Sequence, residues 1–482
     1  MQIHSMQPQE VFSYFSQISA IPHGSGNTDR LAEFCLEFAK QNGLDSFRDD
    51  YGNVMIFKNG TPGYEQSEPV ILQGHMDMVC EKTSDCPIDM DQEGVELMTD
   101  GKYLWANGTT LGADNGIAVA YILALLASSD IPHPPLEALL TVDEEVGLRG
   151  ARELNASYLS GKRLINIDSE QEGVLTAGCA GGVRTACRVP VAFEDLTDDA
   201  VCYRISISGL LGGHSGTDID KPRKNAILVL AMLLDELQES IGIGICEFAA
   251  GGRLNVIPQS AYAVVSFARR DLADFYRIVS DYQSELKKIC FSIEPSAAVS
   301  VEPVSGGLRS IRKENTESIL FLLLQSPNGV VDMSPDIPDL VQTSLNLGYA
   351  ELKGDSFECG HMIRANTAYG KKALVRRLRS LFRQIQGTIV FSDDYSAWEY
   401  KVYSPLRETM IDAFEEMYGK RPIVTTIHAG LECGILAEKI HGADMVSFGP
   451  DMSDVHTPNE RLSLASAKRC WEYLLLVLRK LK

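Results

Sequence analysis

The stretch Pro69-Val70-Ile71-Leu72-Gln73-Gly74-His75-Met76-Asp77 decides the fold class of this chain. Its continuous apolar run, residues 70–72, predicts a strand buried on both faces, which is typical of a parallel sheet covered by helices. The strand leads directly into a histidine and an aspartate. If the chain stays extended there, the side chains of His75 and Asp77 point to the same side.

Outward from this strand, helix-like and strand-like patterns alternate over roughly the first 187 residues. Apolar residues recur at helical spacing around residues 31–38, and a buried helix is predicted over residues 117–127. Strands are predicted over residues 136–142 and 164–167. Strands separated by helices indicate an α/β fold with a mixed, mostly parallel sheet flanked by helices.

The pattern changes near residue 188 and changes back near residue 390. Apolar and polar residues alternate over 201–208, as in a strand with one exposed face. A helix over 225–237 and a strand over 261–268 follow. Helix 406–418, strands 422–426 and 443–448 and a final helix through 471–476 then resume the α/β pattern. We therefore predict an α/β domain in two parts, residues 1–187 and 391–482, interrupted by an inserted α+β domain, residues 188–390.

Composition excludes several classes of protein. The formal net charge of −21 argues against a nucleic-acid partner, which would need clustered Lys and Arg. The first six residues contain no basic stretch followed by an apolar core, so no signal peptide is expected. Apolar runs 117–127 and 226–234 are too short to span a bilayer, so no membrane role is expected. Eleven scattered cysteines fit the reduced thiols of a cytoplasmic protein.

Residues of metal-binding types follow the predicted strands or open a helix at five places. Each has an ordinary explanation when taken alone: a structural His-x-Asp triplet, an N-cap aspartate, a solvated acidic turn. Together they are more specific, because the chain has only nine histidines. Nitrogen and oxygen ligands without thiolate suit zinc, cobalt or manganese. Two histidines and three carboxylates divide into two three-ligand sites that share one carboxylate. The five candidates are His75, Asp114, Glu145, Asp168 and His456.

The order of these motifs resembles the co-catalytic zinc aminoacylase and carboxypeptidase family, and within it the aminoacyl-histidine (cytosolic non-specific) dipeptidase branch. The motifs are His75-x-Asp77, Gly-Ala-Asp114-Asn-Gly, Asp-Glu144-Glu145, Asn-Ile-Asp168 and Asp-Val-His456-Thr-Pro. The resemblance implies a zinc-exopeptidase-like catalytic domain with an inserted lid, and two zinc ions.

It also implies a role for each residue. His75 and Asp168 would hold one metal, Glu145 and His456 the other, and Asp114 would bridge them. Asp77 would clamp His75, Glu144 would act as general base, and the peptide bond after Asp114 would be cis.

The same resemblance assigns residues of the inserted domain. His214, in a glycine-rich turn, would stabilise the transition state, and Asn255 and Arg364 would contact the substrate carboxylate. Gly430 would line the cavity. Arg364 suits its role because a planar guanidinium binds a carboxylate in bidentate fashion. Recognition of that carboxylate at a fixed distance from the metals would measure peptide length, which favours a dipeptidase over an endopeptidase.

The expected activity is hydrolysis of dipeptides with broad specificity, including Xaa-His dipeptides. An N-acyl amino acid deacylase or a tripeptide aminopeptidase would use the same site, and a non-catalytic binding protein is the alternative from another class. A homodimer is expected. Whether His214 acts within its own chain or across the dimer stays open at this point.

Overall fold

The computed structural model describes residues 6–482 and divides them into two compact units. The first runs up to Cys179 and also contains Trp398–Thr426 and Leu431–Lys482; the second contains Ala180–Ala397 and Ile427–Gly430. Residues 1–5, part of the N-terminal stretch in which no signal peptide is expected, lie outside the described residues.

The helices and strands are numbered in chain order. The helices are α1 Gln9–Ser19, α2 Asp29–Gln41, α3 Ala113–Ala127, α4 Arg149–Glu153, α5 Ala226–Ile241, α6 Leu272–Cys290, α7 Lys313–Gln325, α8 Ala368–Gln384, α9 Pro405–Tyr418, α10 Glu432–Lys439 and α11 Leu464–Lys480. The strands are β1 Asp45–Arg48, β2 Val54–Lys58, β3 Val70–His75, β4 Leu97–Thr99, β5 Tyr103–Ala106, β6 Leu136–Thr141, β7 Arg163–Asn166, β8 Val174–Cys179, β9 Gly181–Pro190, β10 Phe193–Asp195, β11 Ala200–Ser208, β12 Gly213–His214, β13 Gly244–Gly251, β14 Val256–Ile257, β15 Ala261–Ala268, β16 Ala298–Val304, β17 Arg309–Ile311, β18 Gly329–Met333, β19 Val341–Lys353, β20 Ser356–Ala365, β21 Thr388–Tyr395, β22 Ile423–Ile427, β23 Asp444–Ser447, β24 Met452–Ser453 and β25 Arg461–Ser463.

An eight-stranded sheet organises the first unit, in the order β1-β2-β6-β3-β7-β23-β8-β22. The four central strands, β6, β3, β7 and β23, are parallel, whereas β1, β2 and β8 are antiparallel to their neighbours. Every residue of β3 and β6 is buried, as the continuous apolar runs predict. The predicted α/β class with a mixed sheet is confirmed.

Helix α3 lies in the core of the first unit and packs against α1 and β3. It is apolar on all sides, which is typical of a fully buried helix. Gly74 allows the helix to approach β3 closely, because a Cβ there would lie 2.5 Å from Asn115 Oδ1 and 2.7 Å from Ala118 Cβ. Tyr121 of α3 stacks on Trp471 of α11, with ring centroids 5.7 Å apart.

A nine-stranded antiparallel sheet organises the second unit, in the order β16-β11-β15-β13-β19-β20-β9-β21, with β18 paired to β19. The alternation predicted over residues 201–208 is present in its second half, since Ile205 and Ile207 are buried and their neighbours are more exposed, whereas residues 201–204 are all half-buried. Helix α5 covers β11 and β15, and α8 packs on β19 and β20.

The units divide at residues 179/180 and 397/398, not at the predicted boundaries 187/188 and 390/391. The predicted boundaries fall inside β9 and β21, two strands that pair with each other and belong wholly to the second unit. The start of β9 cannot be recognised from the sequence pattern, because residues 181–183 are all buried and the exposed–buried alternation starts only at Arg184.

Two further sequence expectations concern the whole chain. Among the described helices, none combines the length and apolar composition needed to cross a lipid bilayer. All eleven cysteines are free thiols, which agrees with the expectation of reduced cysteines.

Candidate metal centre

The carboxyl ends of the four parallel strands meet at one edge of the eight-stranded sheet, where ligand sites form in α/β proteins. His75 is the last residue of β3, and Glu144 and Glu145 follow β6. Asp168 follows β7, and His456 lies in the segment after β23. Asp114 comes from the start of α3. The structure therefore brings all five predicted ligands together in the first unit.

Asp114 lies between two imidazoles. Its Oδ1 is 3.2 Å from His75 Nε2, and its Oδ2 is 3.1 Å from His456 Nε2. The N-cap position of α3 is Gly112, so Asp114 is not the N-cap that its place in the sequence suggested. The peptide bond between Asp114 and Asn115 is cis, as the resemblance implies.

The remaining two carboxylates divide between the same imidazoles. Asp168 Oδ1 lies 3.5 Å from His75 Nε2, and Glu145 Oε1 lies 2.7 Å from His456 Nε2. Glu145 Oε1 is buried and, despite the short distance, makes no hydrogen bond of acceptable geometry with any described residue. The donors thus form two groups, each with one imidazole, one carboxylate of its own and one oxygen of Asp114.

Backbone contacts fix the orientation of His75. Its Nδ1 lies 2.9 Å from the main-chain carbonyl of Asp77, so the Nδ1–H is donated there and Nε2 faces the carboxylates. The Asp77 carboxylate is 3.6 Å from Nδ1. Asp77 thus contacts His75 through its main-chain carbonyl, with its carboxylate within ion-pair distance of the same nitrogen.

The Asp77 side chain also holds the loop after β6. It accepts hydrogen bonds from the backbone N–H groups of Glu144 and Glu145, at 3.0 and 3.3 Å, and from the Ser25 hydroxyl at 2.8 Å. This buried carboxylate thereby positions both glutamates at the edge of the sheet.

Crowded carboxylates shift the protonation of the site. Burial raises the pKa of Asp168 to about 7, with the charges of Asp114 and Glu145 adding to the effect. Burial also raises the pKa of Glu144 well above its usual range. A hydrogen bond with Asp114 and the nearby Glu145 raise the pKa of His456 to about 11. Without a cation, these groups bind protons to balance their negative charge, and divalent cations can supply the same balance.

Sequence reasoning missed Glu460, which is 2% exposed. Its carboxylate accepts hydrogen bonds from the backbone N–H groups of Leu111, Gly112 and Ala113, at 2.8, 3.1 and 2.9 Å. These residues form the turn that presents Asp114, so Glu460 positions the shared carboxylate. No local pattern reveals this role, because the partners lie about 350 residues apart in the chain.

Glu432 was also missed. This fully buried residue begins α10 and accepts hydrogen bonds from Gln73 Nε2 and Thr141 Oγ1, both at 2.6 Å. Gln73 precedes His75 in β3, and Thr141 ends β6. Burial raises the pKa of Glu432 to about 7. It supports the two strand ends that carry His75 and the glutamate pair.

The second unit gathers the other predicted residues into a cluster of its own. His214 pairs with Val256, next to Asn255, and Ser215 donates its N–H to the Asn255 carbonyl at 2.8 Å. Arg364 Nη2 is 3.4 Å from His214 Nε2, and its Nη1 is 3.3 Å from the Tyr395 hydroxyl. The fourth predicted residue, Gly430, also contacts this tyrosine, since a Cβ there would lie 2.8 Å from the Tyr395 ring.

Arg364 is only 5% exposed, and its Nε has no hydrogen-bond partner among the described residues. A buried guanidinium without a carboxylate partner is costly unless an anion binds it. This cluster therefore has the properties of an anion-binding site.

The fold and the strand-end cluster define a class of enzyme. Residues 71–480 match the peptidase family M20/M25/M40, and the chain belongs to this family. It is accordingly a hydrolase that acts on peptide bonds.

The most informative relatives are dipeptidases. Over 480 residues the chain is 33% identical to the cytosol non-specific dipeptidase of Escherichia coli (strain K12), covering 100% of this chain and 99% of that protein. The crystal structure of aminoacylhistidine dipeptidase from Vibrio alginolyticus matches with a TM-score of 0.94 and 34% identity, over 99% of this chain and 98% of that one. These matches confirm the resemblance.

A more distant structure shares the fold alone. Aminopeptidase PepT from Bacillus cereus ATCC 10987 has a TM-score of 0.59 and 14% identity, over 99% of both chains.

Proposed function

We propose that this protein hydrolyses dipeptides of broad composition, including Xaa-His dipeptides, with two divalent metal ions, most simply zinc. The observation that carries the proposal is the position of Asp114, whose two carboxylate oxygens each face a different imidazole at 3.1–3.2 Å. The names of the two dipeptidase relatives support the substrate class. We also propose a cytosolic location and a homodimeric assembly, as the sequence led us to expect.

The residues present fit two such ions. In our proposal His75 and Asp168 hold one and Glu145 and His456 the other, with Asp114 shared. Nitrogen and carboxylate oxygen without sulfur suit zinc, cobalt and manganese. The buried Glu145 oxygen without a hydrogen bond is the kind of atom that a cation would satisfy. When bound, a pair of such ions acidifies water and polarises a carbonyl group.

Glu144 is the proposed general base. Its backbone N–H is held by Asp77, and its buried carboxyl group interacts electrostatically with His75, Asp168 and Glu145. Burial raises the pKa of its carboxyl group, which suits a group that must both accept and return a proton. Glu144 takes a proton from the attacking water and delivers it to the departing amine.

Arg364 and His214 are the proposed contacts for the substrate's anionic groups. His214 Nδ1 accepts hydrogen bonds from the backbone N–H groups of Gly216 and Thr217, both at 3.3 Å, which places the ring proton on Nε2. The Nε2–H and the Arg364 guanidinium are then two donors that converge without an acceptor between them. A carboxylate or carbonyl oxygen supplies that acceptor. Asn255 and Gly430 are proposed to line the same pocket.

A substrate panel tests the proposed activity. Purified protein is assayed with dipeptides that include an Xaa-His member, with tripeptides, with N-acyl amino acids and with dipeptide amides. We expect dipeptides to have the highest kcat/KM. A preference for tripeptides or for N-acyl amino acids would instead identify an aminopeptidase or a deacylase on the same site. If no substrate is hydrolysed, the proposal of a catalytic protein is wrong.

A further inference from the structure

Two cysteines and a histidine lie together on one face of the second unit's sheet, and the proposed reaction does not use them. Cys187 of β9 stands directly opposite Cys359 of β20 in the antiparallel pair. His361 follows Cys359 by two residues, so it shares the same face of the strand. The three residues are 3%, 1% and 0% exposed, and one ligand atom from each lies within 4.8 Å of the others.

The imidazole of His361 is oriented for ligation. Its Nε2 is 2.7 Å from Ser326 Oγ, which can accept the ring proton. The unprotonated Nδ1 then faces the sulfur atoms and lies 3.7 Å from Cys187 Sγ. Metal-binding histidines are commonly fixed in this way, by a hydrogen bond from the nitrogen that does not bind the metal.

A hydroxyl group completes the arrangement. Thr185 Oγ1 lies 3.0 Å from His361 Nδ1 and 3.4 Å from Cys187 Sγ. It offers an oxygen atom next to two of the three candidate ligands, and a tetrahedral ion needs a fourth.

We propose that Cys187, Cys359 and His361 bind a zinc ion within the second unit, with Thr185 or a water molecule as the fourth ligand. Thiolate and imidazole together select zinc among the abundant divalent ions. Binding displaces the two thiol protons to solvent, so Zn²⁺, two thiolates and a neutral imidazole sum to zero charge. A monovalent copper ion on the same ligands would leave a net negative charge among apolar neighbours such as Phe357 and Phe382, which is costly.

The ion would join strands that are remote in sequence. Cys187 and His361 are 174 positions apart, and β20 also carries Arg364. A metal at this place would therefore stabilise the strand that presents the proposed anion-binding arginine.

Cobalt spectroscopy tests the proposal on the full-length protein. The protein is stripped of metal under reducing conditions and titrated with Co²⁺, because thiolate ligation gives a charge-transfer band that nitrogen and oxygen ligands do not give. The five strand-end ligands include no sulfur, so the band reports on cysteine sites alone. We expect the band in the wild-type protein and its loss in Cys187→Ser and Cys359→Ser.

A matched control separates this pair from other cysteines. Cys202 and Cys246 are also neighbours within the second unit, and their double replacement by serine should leave the band unchanged. As a second measurement, the zinc content of the protein as purified should fall by one ion per chain in Cys187→Ser. Dipeptide turnover shows that each variant is folded.

Two results would overturn the proposal. One is a band of wild-type intensity in Cys187→Ser. The other is the absence of the charge-transfer band from wild-type protein whose cysteines are fully reduced and which is saturated with cobalt. This holds whether or not Cys187 and Cys359 formed a disulfide before reduction.

Discussion

Asp114 differs from the other four proposed ligands because its two oxygens face different histidines. A carboxylate is the side chain best able to do this, since it has two equivalent anionic oxygens on one carbon atom that point in different directions. Replacement by asparagine would keep the shape and lose one of those oxygens. In the proposed centre, this residue would therefore determine whether the cluster holds a pair of ions or only one.

Glu144→Gln should remove the general base while leaving both donor groups intact. We expect kcat for a dipeptide to fall about 10²- to 10⁴-fold with unchanged metal content. Steady-state kinetics and metal analysis measure the two quantities. Glu153→Gln, an exposed glutamate of α4, is the control and should behave like wild type. A Glu144→Gln variant within about tenfold of wild type would contradict the assigned role.

Arg364→Ala should raise KM for dipeptides because a buried, charge-assisted contact to the free carboxylate is lost. A loss of about 1.5–3 kcal/mol corresponds to roughly 10- to 150-fold in kcat/KM. The corresponding dipeptide amide should be affected far less. Arg188→Ala, which removes an exposed arginine of β9 that pairs with Asp355, serves as the control. Equal losses for dipeptide and amide would count against carboxylate recognition.

Residues of the proposed centre were predictable where a histidine or a carboxylate residue lies at the end of a predicted strand. His75, Glu145 and Asp168 follow apolar strands whose ends converge, so the sequence indicates them directly. Glu460 and Glu432 were not predictable, because their partners are distant backbone or strand residues and each looks like an ordinary acidic residue. Which part of Asp77 lies closer to His75 was not predictable either, because whether the carbonyl or the carboxylate reaches the ring depends on the local backbone geometry.

The turn before α3 presents the shared carboxylate of the proposed centre and is held by Glu460. Glu460→Gln keeps the size of the side chain but replaces an acceptor with an amide, leaving backbone N–H groups of residues 111–113 without a full set of acceptors. We expect the zinc concentration that half-restores turnover of stripped enzyme to rise about 10- to 100-fold, together with a lower Tm.

An exposed acidic residue provides the comparison. Glu472→Gln changes a glutamate of α11 that pairs with Lys468 on the surface, and neither quantity should change. If Glu460→Gln also leaves zinc reactivation and Tm unaltered, then Glu460 does not position the turn.

Where apolar residues recur with a clear helical or strand period, the predicted ends of the helix or strand lie within a few residues of the observed ones. Strand β15 has the predicted bounds, and the long helices α5, α9 and α11 are where periodicity placed them. The directions of β1, β2 and β8, which flank the parallel strands, were not predictable, since strand direction follows from pairings between remote segments and not from local pattern.

At the scale of the whole molecule, one chain already assembles His214 with Arg364, although they come from opposite halves of the inserted unit. The same subunit therefore supplies both residues to a site, and we propose that it is also the subunit that supplies Glu144. Glu144→Gln and His214→Ala chains, co-expressed with different tags and purified as mixed assemblies, should show no more activity than the two variants alone. Regained turnover would mean that a partner subunit supplies the histidine.

The interruption of one unit by the other was visible in the sequence, but its boundaries were not. The buried start of β9 resembles the strands of the first unit, and the short return of residues 427–430 to the second unit leaves no compositional trace. The start of β9 and the place of residues 427–430 both depend on contacts with segments that are remote in the sequence.

Dependence on metal tests the proposed dinuclear centre most directly. The rate of dipeptide hydrolysis is measured before stripping, after exhaustive chelation, and after addition of zinc, cobalt or manganese. We expect turnover to fall to about 1% or less on stripping and to return with added metal, since water activation by the ions is lost and then restored. Undiminished turnover by protein shown to be free of metal would contradict the assignment of His75, Asp114, Glu145, Asp168 and His456 as ligands of a catalytic metal pair.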